Sequence, residues 1–193
     1  PQGLPQRLLL PTSHERIKLL PASTALATLE RQSPGQSGLG LVIAKSLAQL
    51  WGEFDHAVID SPPLLGILMV NALAASQQLV IPVQTEFLAV KGLERMVSTL
   101  AMINRSRKQA LPYLIVPTLF DRRTQASMST LRALRNSYPE QLWPAYIPVD
   151  TRLRDASRAG LTPSQFDSNC RAVLAYRALL KHLLSLQPTA QVA

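Results

Sequence analysis

The 193-residue chain has a single cysteine, Cys170. One thiol cannot close an internal disulfide, and that usage points to a reducing cytoplasm. Three histidines, His14, His56 and His182, stand too far apart to offer ligand spacing, which argues against zinc. Gly35, Gly38 and Gly40 do not form a Gly-x-Gly-x-x-Gly fingerprint and follow no clear strand, so a dinucleotide loop has little support. There is no Gly-x-Ser-x-Gly elbow, and Ser61, beside prolines, has no obvious base. The longest nearly unbroken apolar run, Leu64 to Ala75 with Asn71 inside it, is too short to span a bilayer and reads as a buried helix. No signal peptide is visible. The chain opens on Pro1 rather than Met, so an upstream segment is expected to have been removed.

Hydrophobic residues make up 47% and charged residues 17%, the composition of a globular chain, and 193 residues suit one domain with a full core. Charge is uneven. Residues 1–90 hold five Lys/Arg and six acids, a net of −1, whereas residues 91–193 hold fifteen Lys/Arg and six acids, a net of +9. A basic half is either a solvated surface or a face that meets phosphate, on nucleic acid or anionic lipid.

After a proline-rich start with a strand-like run at Ile17–Leu20, the loop "RQSPGQSG" leads to a helix marked by Leu39, Ile43, Leu47 and Leu50. Strands are then expected at Ala57–Ile59, Gln78–Val83, Pro112–Leu119 and Leu142–Val149. Helices are expected at Gly66–Ser76, Val90–Arg107, Thr124–Ser137, Leu153–Arg158 and Arg171–Leu186. On the second of these helices, Leu93, Val97, Leu100 and Asn104 share a face. Short apolar strands alternating with longer helices predict an α/β fold: a doubly wound, mostly parallel sheet with helices on both faces. Ligands of such sheets sit beyond the carboxyl ends of the strands. That rule places Asp60, "PVQTEF", "PTLFDRRT" and "IPVDTRLRDAS" along one rim.

Asp60, at the end of "FDHAVIDSPP", is the acid expected at the tip of a buried strand. Such a carboxylate can hold Mg²⁺ through water, because magnesium takes one or two carboxylates together with phosphates. It can also cap the turn that follows, but the attached "DSPP" favours the metal role. The last helix carries Val173, Tyr176, Leu180 and Leu183 on one side with Arg177 and Lys181 turned away. That arrangement suits core docking better than membrane attachment. Met96, Met102 and Met128 read as core filler.

"FDHAVIDSPPLLGILMVNALAASQQLVIPVQTEFLAVKGLERM" resembles the middle of a ParA/MinD-type ATPase. "PTLFDRRTQASMSTLRAL…IPVDTRLRDASRAGLTPSQFDSNCRAVLAYRALLKHLL" is similar to the second half of the same P-loop fold. Four segments follow in the family's order and spacing between Ile17 and Leu184, closest to the chemotaxis-associated ParA-like proteins often called ParC. The resemblance implies a bacterial, cytoplasmic, ATP- and Mg²⁺-dependent switch that forms a homodimer around two ATP molecules and positions cargo, here chemotaxis clusters at the cell pole through an adaptor protein. Asp60 then matches the Walker B acid. Pro117, Thr118, Pro148, Val149 and Asp150 match segments around the adenine, and Gln84 and Glu86 match a polar pair after the next strand.

The family's Walker A loop, Lys-Gly-Gly-x-x-Lys-Thr/Ser, and its aspartate-bearing switch segment do not occur in the sequence. Backbone N–H groups and a lysine of that loop hold the phosphates in the family. The expectation is therefore a single ParA-like domain over 1–193, without its first strand, P-loop and switch, and with a disordered tail at 187–193. Such a chain alone is expected neither to hydrolyse ATP nor to be highly soluble, since loss of a central strand leaves open edges. Arg122, Arg123, Arg132, Arg135, Arg152, Arg154 and Arg158 are candidates for a DNA or partner surface. Family members that ride on the nucleoid bind DNA without sequence preference through basic residues in this half. A nucleotide-free interaction module is the alternative.

Overall fold

In the computed structural model, which describes residues 8–26, 28, 39–50, 52–62 and 66–186, the strand expected at Ile17–Leu20 appears as Lys18–Leu19 (β2), paired antiparallel with Leu10–Pro11 (β1). The Thr12 hydroxyl donates to the Ile17 carbonyl at 3.0 Å and accepts the His14 N–H at 3.1 Å, which closes the turn between them. The "RQSPGQSG" loop and the tail 187–193 lie outside the described residues. The chain divides into two compact units, Pro1–Leu79 with Gln109–Leu111, and Val80–Lys108 with Pro112–Ala193.

In the first unit a 3-10 turn, Leu39–Leu41, runs into the helix Val42–Ala48 (α1), and Ile67–Ala75 (α2) follows. The N-cap of α1 is Leu41, which has no side-chain acceptor for the free N–H groups of a helix start. Asn71 of α2 supplies it. Its Oδ1 accepts the N–H of Val42 at 2.9 Å and of Ile43 at 3.3 Å, while its Nδ2 donates to the Ile67 carbonyl at 2.9 Å. The polar residue inside the apolar run is therefore a buried cap, delivered from a second helix.

One expected strand is corrected. Residues 57–59 belong to no strand among the described residues, and Val58 is 97% exposed. Apolar identity favours extension, but a strand exists only when a neighbour takes its N–H and C=O groups. Asp60 is thus an exposed carboxylate on an unpaired segment, not the tip of a buried strand.

The second unit carries the sheet. Leu79–Gln84 (β3) and Tyr113–Thr118 (β4) lie side by side, joined by the crossover helix Phe87–Arg105 (α3). Leu93 and Leu100 of α3 are buried and Val97 and Asn104 half-buried, as their spacing predicts. Leu114, Ile115, Val116 and Pro117 are all buried, so β4 is covered on both faces. Residues 142–149 extend the sheet in parallel through the bridges Ile115–Leu142 and Phe120–Pro148. Pro144 interrupts that run, yet the Trp143 N–H reaches the Ile115 carbonyl at 2.9 Å and the Ile147 N–H reaches the Pro117 carbonyl at 2.8 Å.

Gln125–Ser137 (α4) starts from Thr124, whose hydroxyl accepts the Ser127 N–H. Arg152–Arg158 (α5), the single turn Pro163–Phe166 (α6) and Arg171–Leu186 (α7) complete the unit. Its core joins Leu114, Val116, Trp143, Ile147 and Leu179. Of the face expected on α7, Val173 is buried beside Ala172 and Leu179 and Leu183 packs against the core, but Tyr176 is 47% and Leu180 56% exposed. Helical periodicity gives the stripes of a helix, but the packing partner chooses which stripe is covered. Met102 and Met128 are exposed as well, so they do not fill the core.

Candidate functional site

Three of the four rim segments meet at the carboxyl ends of β3 and β4. The Thr85 N–H donates to the Thr118 carbonyl at 3.2 Å, and the Thr85 hydroxyl bonds the Ser127 hydroxyl of α4 at 3.0 Å in a buried setting. This ties "PVQTEF" to the exit of β4 and to the start of α4. Gln84 and Glu86 flank Thr85 and face solvent, and Glu86 is the N-cap residue of α3. The Pro117 side chain is fully buried below the rim, whereas Thr118 is half-buried. Leu119 then adopts φ 51°, in the left-handed region that a leucine rarely occupies. That turn sends Phe120 back against the neighbouring segment: its N–H reaches the Ile147 carbonyl at 3.1 Å, and its carbonyl accepts the Val149 N–H at 3.0 Å.

Beyond this crossing lies an open cleft of about 620 Å³ bordered by Phe120–Arg123, Tyr146, Pro148–Thr151, Arg171 and Ala175. The Phe120 and Tyr146 rings are 4.1 Å apart, tilted by 39°. Asp121 is locked by Arg123, with Nε to Oδ1 at 2.9 Å and Nη2 to Oδ2 at 2.7 Å, and it also accepts the Arg123 N–H at 3.0 Å. The Arg123 side-chain hydrogen bonds, then its backbone N–H, hold the Asp121 carboxyl down at about 2. Asp150 is held differently. Desolvation pushes its pKa up, but hydrogen bonds from the N–H groups of Arg152 (3.1 Å) and Ala172 (3.2 Å), with the charges of Arg171 and Arg152, outweigh this and leave it below the ordinary value. Through Ala172, Asp150 fastens the loop after residue 147 to the first turn of α7.

Pro148, Val149, Asp150, Arg122 and Arg123 therefore share one cleft, and Pro117–Thr118 lead into its rim. Asp60 belongs to the other unit. Arg132 and Arg135 are exposed on α4, where Arg135 reaches the Pro144 carbonyl at 3.5 Å. Arg152, Arg154 and Arg158 are exposed on α5, with Arg152 Nε 3.8 Å from the Asp167 carboxylate. Sequence reasoning missed Tyr146, Arg171 and Ala175. Tyr146 directly precedes "IPVDTRLRDAS" but carries no site signal of its own, and Arg171 and Ala175 lie beyond that segment on α7.

Magnesium takes hard oxygen ligands, usually one or two carboxylates completed by water and phosphate. The exposed Asp60 carboxylate fits one position of such a set. Among the described residues no cluster of three His, Cys, Asp or Glu could hold a metal without added ligands. Nor is any helix among them long and apolar enough to cross a membrane.

Residues 5–113 match the model of a family described as an AAA domain. The chain is 28% identical over 180 residues to the chromosome partitioning protein ParA of Myxococcus xanthus, covering 93% of this chain and 64% of that protein. It is 28% identical over 167 residues to the chromosome-partitioning ATPase Soj of Treponema pallidum, covering 86% of this chain and 66% of the relative. The chain thus spans a little under two thirds of the length of these two relatives. Among solved structures, the cobyrinic acid a,c-diamide synthase of Mycobacterium smegmatis with a bound ATP analog and magnesium superposes with a TM-score of 0.73 at 29% identity, over 95% of this chain and 69% of that one.

Proposed function

Because the chain belongs to the ParA/MinD-type ATPases, within the AAA-domain family matched over residues 5–113, we propose that it serves an ATP- and Mg²⁺-dependent switch that positions cargo inside the cell. The observation that carries this reading is the pairing of Phe120 with Pro148. It sets the exit of β4 beside the loop 148–150, the two segments that should enclose the base of a nucleotide. In this reading Pro117, Thr118, Pro148, Val149 and Asp150 form the base edge, with Asp150 holding the loop on α7 as much as meeting the ligand. Asp60 supplies the carboxylate that orders Mg²⁺ and its waters, and bound magnesium would neutralise phosphate charge. Gln84 and Glu86 line the adjoining rim.

The sequence contains no Walker A loop, so the 193-residue chain by itself should not turn over ATP. Steady ATP hydrolysis by the purified chain, abolished by Asp60→Asn, would refute that. The native gene product should act as an ATP-dependent homodimer that gathers at the cell pole with a chemotaxis-array adaptor. Tagged with a fluorescent protein, it should form foci with its cargo, and Asp60→Asn should disperse them. Uniform fluorescence of the unaltered protein would sink the positioning role, whereas unchanged foci in the variant would remove Asp60 from it.

A second reading, non-specific DNA binding, draws on Arg132, Arg154 and Arg158, which are exposed on their helices. Such binding releases counterions and falls steeply with salt. Random-sequence DNA binding should weaken in Arg154→Gln/Arg158→Gln and on raising salt. Salt-independent binding would exclude the electrostatic contact.

A further inference from the structure

Helix α7 carries large apolar residues on two sides. Leu179 and Leu183 meet the core of the second unit, whereas Tyr176, Leu180 and Leu184 are 47%, 56% and 46% exposed. These three follow one another at a spacing of four, so they form a single ridge about 12 Å long rather than scattered side chains. The ridge beside it holds Arg177 and Lys181, both exposed. There is no acid on α7, and residues 91–193 carry a net charge of +9. At about 3.6 residues per turn, Leu180 lies about 180° around the helix from Arg171 and about 140° from Ala175, the two residues of α7 that border the cleft. The apolar ridge is therefore a separate surface, with no part in the nucleotide reading.

We propose that the ridge Tyr176–Leu180–Leu184 docks an acidic amphipathic helix of a partner protein, whose apolar row packs along it and whose Glu or Asp side chains meet Arg177 and Lys181. Charge selects this occupant. A second copy laid on the same face would bring Arg177 and Lys181 against their own counterparts, a like-charge contact that works against association. A lipid surface takes the whole apolar face of a helix to a depth of about 5–10 Å. Here the core holds the opposite side of α7, and only about half of each ridge residue stands clear of the fold. An apolar ridge of three side chains instead matches the ridge-into-groove packing of one helix on another. Exposed ion pairs add little affinity, so the ridge supplies the binding energy and the two cations fix orientation and partner choice. The docking needs neither nucleotide nor Asp60.

Fluorescence anisotropy with the purified chain tests it, using three labelled synthetic helices of about 18 residues, long enough to hold helical structure. One has a leucine stripe flanked by glutamates, the second the same stripe flanked by lysines, and the third alanines in place of the leucines with the glutamates kept. The leucine–glutamate helix should bind at least about tenfold more tightly than either of the others. Leu180→Gln and Leu184→Gln should each weaken it by about fivefold. Met102→Gln, at a position 58% exposed on α3, should change it less than about twofold. Lys181→Gln should weaken it by about two- to threefold at low salt and less as salt rises, and Arg132→Gln, the same charge change on α4, should matter less. All these side chains are exposed, and matching thermal melts would show that each variant keeps its fold. No binding of the leucine–glutamate helix up to about 1 mM, equal binding of the alanine or lysine helix, or wild-type affinity in Leu180→Gln would overturn the proposal. So would a dimer in analytical ultracentrifugation, or sedimentation with phosphatidylglycerol vesicles, that Leu180→Gln abolishes, since the face would then belong to a second copy or to lipid. Asp60→Asn should leave peptide binding unchanged, so dispersed foci with intact peptide binding tell the two readings apart.

Discussion

Val58 and Ile115 both sit in short apolar runs that read as strands, one in each unit, yet Val58 is 97% exposed and Ile115 is 0% exposed. Their neighbours explain the difference. The Ile115 N–H donates to the Gln141 carbonyl at 2.8 Å, its own carbonyl accepts the Trp143 N–H, and covered residues lie on either side along β4. Residues 57–59 belong to no such ladder among the described residues. The first unit instead draws its order from helix on helix, with Asn71 as its main polar joint. Hydrophobic character thus proposes a strand, and pairing decides it.

The largest test of that contrast is a matched truncation. Ile115→Ala should lower the free energy of urea unfolding by about 2–5 kcal/mol, because it leaves a cavity in a packed core. Val58→Ala should stay within about 0.5 kcal/mol, as for other exposed positions. Comparable losses at both sites would show that residues 57–59 are covered in solution.

Asn71→Ala comes next. It strips the start of α1 of its acceptor and should cost about 1–3 kcal/mol. A value near zero would mean that water caps α1 equally well. At the joint of β3 with α4, Thr85→Val strands the buried Ser127 hydroxyl and should cost about 1 kcal/mol. Adding Ser127→Ala should then cost less than the sum of the two single changes, because no unpaired partner remains. Strict additivity would deny the bond.

The smallest effect is electrostatic and sits at the cleft. Arg123 lowers the Asp121 pKa from the usual 3.8 to about 2. A depressed carboxyl contributes stability that is fully present above its unfolded value and is lost as pH falls through the folded one. The Asp121–Arg123 contribution should therefore fade between about pH 4 and 2 and be constant near neutrality. Carboxyl NMR titration should find Asp121 low in the unaltered chain and back near the ordinary value in Arg123→Ala. An unmoved titration would show that the pair does not form in solution.

Helices were the most legible part of the fold. The expected Arg171–Leu186 coincides with α7, and the bounds of the helices expected at Gly66–Ser76 and Thr124–Ser137 differ from the observed ones by a single residue at each affected end. Each signal there is local: turn residues, a cap such as Thr124, and periodicity along one segment. Within the site, the motifs "PTLFD" and "IPVD" drew attention to both walls of the crossing, because polar, proline-marked loops after strands lie on the ligand edge of a parallel sheet. Tyr146 and Arg171 were not legible. One lies inside the 142–149 run and the other at the start of a helix after a polar turn, and only packing brings them to the same cleft.

Sequence alone determined the alternation of helix and strand, the family, and the uneven charge, because each can be read from neighbouring residues or from a sum over them. Tertiary structure decided which side of α7 is buried, that Asn71 of α2 caps α1, that residues 57–59 stay outside any described strand, and that Arg122 and Arg171 border one cleft while both its acids are engaged. These outcomes depend on atoms tens of residues apart, such as Val42 with Asn71 or Asp150 with Ala172, and no local pattern encodes such meetings.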